Sequence, residues 1–325
     1  MSSPRRILVT GAAGFIASNT TDALLARGDQ VVGIDNLNDY YDPARKRANL
    51  AEVRALARDS ARFEFRELDI RDRAALRELV ASGFDAIVHL AAMAGVRASV
   101  DNPWLYYDVN LTGTLNLLDA AREYGKPNFV FASTSSAYGA TNVIPFIETD
   151  PSDRPLAAYA ASKRAAEMLG FSYHHLHGLD FTALRFFTVY GPRGRPDMMA
   201  FKVLDSVRLG REVPLYNNGQ MHRDWTYVSD IVQGVVQAAD RRLGYEVINL
   251  GRGEPVLLAD FVQALEELAG KKAKLVPAPM MDADVAYTYA DIGKAQRLLG
   301  YAPEVSVRDG VRRFWEWYTT AVGPL

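Results

Sequence analysis

The chain has 325 residues, 49% hydrophobic and 23% charged, with a formal net charge of -2. That is enough for one large or two interleaved domains, and so small a net charge gives no basic field to attract nucleic acid. The absence of cysteine excludes disulfides and thiolate metal sites.

Arg6 to Thr10 is a short apolar run closed by glycine, the pattern of a buried strand. Its core, Ile7-Leu8-Val9, is too short for the apolar region of a signal peptide, and no stretch approaches a membrane span. The expected location is the cytoplasm, with no membrane partner. Ala12 to Arg27 reads as a helix stopped by Gly28, and Gln30 to Asp35 as a strand ending in a carboxylate. A polar stretch, Asn36-Leu-Asn-Asp-Tyr-Tyr-Asp-Pro43, leads into a charged helix from Lys46 to Arg58. Phe63 to Leu68 reads as a strand followed by Asp69, and Asp72 to Ser82 as a helix. Ala86 to Leu90 is the next strand, Pro103 to Tyr124 a long helix, and Asn128 to Ala132 the fifth strand. Tyr159 to His177 is helical, and Phe181 to Phe187 a sixth strand.

This alternation calls for an α/β fold with a doubly wound parallel Rossmann sheet. Its ligand crevice lies beyond the carboxyl ends of the strands, where Asp35, Asp69, Thr134 and Thr188 fall. After Tyr190 the alternation fails. Residues 1–190 are expected to form the dinucleotide-binding domain and 191–325 a smaller mixed α/β substrate lobe. A segment within 224–251 is expected to return, with Tyr245 to Gly251 extending the main sheet.

Gly11-Ala-Ala-Gly14-Phe-Ile-Ala17 follows a strand and opens a helix. Its glycines allow a tight turn and close approach of a pyrophosphate to a helix N-terminus. Asp35, at the end of the next strand, would accept from ribose hydroxyls and repel a 2′-phosphate, which favours NAD over NADP. Arg45, Lys46 and Arg47 are expected on an exposed helix face.

Tyr159 and Lys163 stand one helical turn apart on one face. With the hydroxyl of Thr134 at a strand end, they form a proton-transfer site suited to reversible alcohol–ketone chemistry on a nicotinamide. A free tyrosine titrates near pH ~10, and a neighbouring ammonium can lower that by about two units. His174, His175 and His177 end a helix whose C-terminus suits cations, and no metal site is expected there. His89 is expected to pack near the cofactor crevice.

These motifs resemble the extended short-chain dehydrogenase/reductase superfamily, specifically its nucleotide-sugar epimerases. Thr10 to Ile16, Asp69-Ile70, His89-Leu-Ala-Ala92, Asn110-Leu-Thr-Gly-Thr114, Tyr159 with Lys163, and Arg223-Asp-Trp-Thr-Tyr227 occur in family order over nearly the whole chain. The stretch from Asp35 to Pro43, Ala94-Gly-Val-Arg97, and the run from Thr188 to Met198 are similar to UDP-glucuronate 4-epimerases. The resemblance implies that Gly11, Gly14, Phe15 and Ile16 cradle the pyrophosphate of NAD. It places Asp35 and Asn36 on ribose, Asp69 and Ile70 at adenine, Leu90, Ala91 and Ala92 along the cofactor, and Lys163 on the nicotinamide ribose.

The implied activity is that of an isomerase converting UDP-glucuronate to UDP-galacturonate through a 4-keto sugar, with Thr134, Tyr159 and Lys163 catalytic. Arg97 belongs to the implied UDP-sugar site. Arg195 and Arg223 suit either a diphosphate or the surface, and Tyr216 either stacks on uracil or packs the lobe. Ser135, Ser136 and Thr188 either satisfy local backbone groups or hold a sugar carboxylate without adding negative charge. The resemblance also implies a homodimer through a four-helix bundle built from the 103–124 and 159–177 helices. Two other readings stand beside it: a UDP-glucose 4-epimerase, and a non-catalytic NAD-binding sensor or scaffold.

Overall fold

The computed structural model describes residues 4–57 and 62–323. Arg58, the expected end of the second helix, lies outside the described residues.

Seven parallel strands form the central sheet. In spatial order they are Tyr245–Leu250, Phe181–Phe186, Asn128–Thr134, Ala86–His89, Arg6–Thr10, Gln30–Asp35 and Phe63–Glu67. The chain order reverses between Arg6–Thr10 and Ala86–His89, so their crossover connections leave in opposite directions and open a crevice at their carboxyl ends. Alternate residues of each strand serve opposite faces. Ile7 and Val9 pack with Leu24, Leu25 and Ile231 on one face, whereas Leu8 packs with Leu76, Leu79 and Leu117 on the other. Burial on both faces is why the central strands are continuously apolar, whereas the edge strand Phe63–Glu67 alternates.

Several boundaries differ from the sequence expectation. The first helix is Phe15–Arg27, because Gly11 to Gly14 form the turn that precedes it. The second starts at Pro43, where the Asp42 carboxylate accepts from the Ala44 N–H at 2.9 Å. The long helix begins at Pro103, with Asn102 as its cap, and ends at Glu123. It is interrupted by a π turn at Asp108–Thr112, which a 3.6-residue pattern cannot reveal.

Beyond Phe186 the chain builds a second, four-stranded sheet from Thr188–Tyr190, His222–Tyr227, Pro255–Leu257 and Tyr287–Thr288. Glu212–Tyr216 pairs separately with Lys274–Ala278. Trp225 stacks on Phe261 with ring centroids 3.7 Å apart, in a core continuous with one face of the main sheet. Tyr245–Leu250 pairs in register with Phe181–Phe186 at the sheet edge. Buried Asp224 joins several of these segments by accepting from the backbone N–H of Arg252, Gly253 and Ala290 and from the Thr226 hydroxyl.

Candidate active site

The crevice at the sheet reversal is lined by Gly11, Gly14, Phe15, Ile16, Asp35, Asn36, Asp69, Ile70, Leu90, Ala91, Ala92, Tyr159 and Lys163. Gly11 has a φ of 71°, and a Cβ there would lie 2.9 Å from the backbone of Ala91. Only glycine lets these two loops meet. Gly14 precedes the first helix and supplies no side-chain cap, so the N–H groups of that first turn remain available to an anion.

Asp35 is buried and accepts from the N–H groups of Leu37 and Ala13 at 2.8 and 3.2 Å. Burial pushes its carboxyl up, and the Lys46 charge pulls it back. Lys46 is only 5% exposed, contrary to the expected exposed helix face. Its stem turns inward because the Asn38 carbonyl and side-chain oxygens accept from its Nζ at 2.9 and 2.7 Å. Asn36 donates to Asp69 at 2.8 Å, and hydrogen bonding from Arg71 holds Asp69 down at about 2. A glycine cradle with free N–H donors, a strand-end acid and a small-residue wall suit a dinucleotide with two unmodified riboses.

His89 sits beneath this crevice at 0% exposure. The Thr10 hydroxyl accepts from the Ala91 N–H at 3.0 Å and lies 2.7 Å from His89 Nδ1. The Thr114 hydroxyl spends its one proton on the Asn110 carbonyl at 2.6 Å, so at 2.9 Å it accepts from Nε2–H, leaving Nδ1 of the neutral ring to accept from Thr10. The chain fixes a neutral imidazole, and burial with the Lys163 charge holds its pKa well below the ordinary value.

The π turn carries Asn110 inward. Its amide pairs with both backbone groups of Met93 at 2.8 and 3.0 Å and donates to Ser162 at 3.1 Å. Ser162 donates to the Tyr159 carbonyl at 2.9 Å. Asn110 therefore ties the wall after the Ala86–His89 strand to the helix bearing Tyr159. It belongs to one of the quoted motifs, but the sequence reading gave it no role.

Tyr159 and Lys163 do face one cleft. Thr134 ends the Asn128–Thr134 strand with its hydroxyl accepting from the Ser136 N–H at 3.1 Å. Burial pushes the Tyr159 phenol up, while hydrogen bonding with Thr134 and the Arg195 charge pull it back. Arg195 is thus a second cation beside the phenol, one the sequence reading placed only at the diphosphate or the surface. Burial lowers Lys163 itself to about 7, against the charge of Glu167, so its ammonium is only partly populated at neutral pH. Its Nζ lies 4.0 Å from the centre of the Phe131 ring.

The candidate substrate residues divide between two cavities. Ser135, Ser136, Thr188 and Arg223 line a smaller pocket with Thr288 and Asp284. Arg195 lies instead on the wall of the cofactor cleft, paired with Asp197 by both nitrogens of its fork at 2.9 and 2.8 Å. Arg97 borders the smaller pocket, bonded to Asp284 at 2.7 Å and lying 3.5 Å from the centre of the Tyr216 ring. One face of Tyr216 thus carries a guanidinium. Asp284, Thr288 and Asp197 escaped the sequence reading because no local spacing marks them.

Together these features can bind a dinucleotide, move a proton at a phenol and seat a polar, anionic ligand beside it. No helix among the described residues is long and apolar enough to cross a membrane.

A family model described as the NAD dependent epimerase/dehydratase family matches residues 7–251. A UDP-glucuronate 4-epimerase from Thermodesulfobacterium geofontis is 45% identical over 312 residues, covering 95% of each chain. The crystal structure of a UDP-glucuronic acid 4-epimerase from Bacillus cereus, in complex with UDP-glucuronic acid and NAD, gives a TM-score of 0.88 at 34% identity, covering 97% of this chain and 99% of that one. A UDP-glucose 4-epimerase from Thermotoga maritima, with UDP-glucose, gives 0.87 at 31% identity, covering 98% and 99%.

Proposed function

The chain belongs to the NAD-dependent epimerase/dehydratase family, and from that premise we propose that it interconverts UDP-glucuronate and UDP-galacturonate by reversible oxidation at C4. The observation that carries this reading is the adjacency of two sites. Tyr159 and Lys163 face the cofactor cleft, and the strand ending in Thr134 continues into Ser135 and Ser136, which line a pocket with Thr188 and Arg223.

The glycine turn, Asp35 and Lys163 would hold NAD, which would supply the site with a reversible hydride acceptor. Tyr159 takes the proton of the 4-hydroxyl and later restores it. Thr134 hydrogen-bonds the same oxygen. Lys163, facing the same cleft, fixes the cofactor ribose. Arg223 lies in the pocket with no carboxylate within ion-pair distance among the described residues; it donates to the His222 and Ala286 carbonyls at 2.9 and 3.4 Å. Burial pulls its pKa down and the Asp284 charge offsets this only in part, so an entering diphosphate favours the charged guanidinium. Ser135, Ser136 and Thr188 offer neutral donors to the sugar carboxylate.

The assignment extends to two domains, 1–190 for the cofactor and 191–325 for the sugar nucleotide, in a cytoplasmic homodimer. Support for the dimer comes from Trp104, 84% exposed, and from exposed Met168, Phe171 and Leu176, all on the 103–123 and 158–177 helices. Light scattering showing a monomer at micromolar concentration removes the dimer. Incubation with UDP-glucuronate, UDP-glucose and UDP-N-acetylglucosamine, with products identified by chromatography and NMR, tests the substrate. Equal epimerisation of UDP-glucose and UDP-glucuronate overturns the uronate assignment.

A further inference from the structure

Residues 36–43 connect the Gln30–Asp35 strand to its helix and form a strap along one wall of the cofactor cleft. Asn38, Tyr40 and Tyr41 face that cleft. The base of the strap is fixed by the Leu37 N–H, which donates to Asp35, and by Lys46, which donates twice to Asn38. Its tip reaches the loop after Tyr190. The Tyr40 hydroxyl donates to Asp197 Oδ2 at 3.3 Å, and Asp197 also accepts both arms of Arg195.

A third loop closes against the same point. Gly95 has a φ of 103°, and a Cβ there would lie 2.5 Å from the Tyr40 hydroxyl. Tyr106, which packs edge-on to Tyr159 at 6.2 Å, donates to the neighbouring Ala94 carbonyl at 2.8 Å. The loops following three different strands therefore converge at Tyr40 and Asp197, beside the arginine whose charge draws down the Tyr159 phenol.

We propose that Tyr40, Asp197 and Arg195 form a clasp across the cofactor cleft, and that Tyr40 and Asp197 are positioning residues that retain NAD through both halves of the reaction. This rests on the epimerase reading for its purpose. An enzyme that removes hydrogen from C4 and returns it to the other face must keep the reduced cofactor during the interval. Loss at that point strands a 4-keto sugar. The Asp197 side chain is 37% exposed, so the clasp opens without disturbing the core. An isolated surface pair of this exposure holds little. Here one carboxylate joins a two-armed guanidinium to a phenol, and opening it frees two loops at once.

The test uses the NAD holoenzyme of the wild type, Tyr40→Phe, Asp197→Asn and the double variant. After desalting, NAD released into solution is followed by chromatography. Each single variant is expected to release NAD about five- to tenfold faster, tenfold being about 1.4 kcal/mol. The double variant is expected to match Asp197→Asn within about twofold, because both substitutions open one contact. During turnover with UDP-glucuronate, the variants are also expected to leave free NADH and 4-keto sugar in solution, a partition that general loss of fold would not create. Circular dichroism melts check the fold.

An unchanged release rate in Asp197→Asn, or fully additive effects in the double variant, overturns the clasp. Release is measured without sugar, so it stands or falls independently of the substrate assignment.

Discussion

Replacing Lys163 by methionine is expected to stabilise the protein while removing its turnover, with the stabilisation fading as pH rises. Lys163 is 1% exposed, and burial takes its pKa from the ordinary 10.5 to about 7. Below pH 7 both the folded and unfolded chains hold the proton, and the fold bears the full cost of a buried ammonium. Between 7 and 10.5 the unfolded chain keeps the proton and the folded one has lost it, so folding gains about 1.4 kcal/mol per pH unit. Above 10.5 neither state is charged and the cost vanishes. Methionine fills similar space without a charge, and Glu167 keeps its bonds to Ser133, Arg185 and Arg164. The variant's advantage should fall from about 4–5 kcal/mol at pH 6.5 to about 1–2 kcal/mol at pH 9.5. Urea denaturation of both proteins across that range reads it directly. A difference that stays constant with pH means that Lys163 remains charged throughout, and the reasoning fails.

Tyr159→Phe should lower turnover on the order of 10²–10⁴-fold while NAD stays bound, since the phenol moves a proton and does not build the fold; near-normal rates would remove it from the chemistry. Asp35→Ala should weaken NAD more than NADP, because it loses ribose contacts and repulsion together. Titration calorimetry decides this, and a wild type already preferring NADP contradicts the assignment. Thr188→Ala and Ser135→Ala should each weaken UDP-glucuronate by about tenfold, as for one lost hydrogen bond to a charged group, and raise release of UDP-pentose. UDP-glucose should be much less affected. Equal loss for both sugars would separate these hydroxyls from the carboxylate.

The legible parts of this protein were those written in consecutive residues. The glycine turn, the acid at Asp35 and the Tyr159–Lys163 spacing each reflect one loop or one helical turn, and all line one cleft. The parallel sheet was legible because its central strands are apolar on both faces. The π turn was not, since one widened turn leaves the apolar pattern of its helix nearly intact while moving Asn110. Lys46 misled because charge suggests a surface, whereas its burial depends on the fold of Asn38 eight residues earlier. The Arg97–Asp284 and Tyr40–Asp197 pairs join residues 187 and 157 apart in sequence. Only the packed lobe defines those partners.

That division also says where substrate choice resides. Two solved relatives, one with UDP-glucuronic acid and one with UDP-glucose, share this backbone at TM-scores of 0.88 and 0.87. Backbone shape therefore does not separate the two sugars. Nor does Arg223, if it meets the diphosphate, because every UDP-sugar carries one and a contact common to all raises their binding alike. Arg97 is already neutralised by Asp284, and an unpaired acid in the same pocket would repel a uronate. On the proposed assignment, discrimination falls to neutral donors beside the reacting carbon. Ser135, Ser136 and Thr188 supply them from two strand ends brought together by the fold. A site built to hydrogen-bond a carboxylate leaves those donors poorly partnered when a neutral hydroxymethyl group takes its place, and that penalty makes it selective.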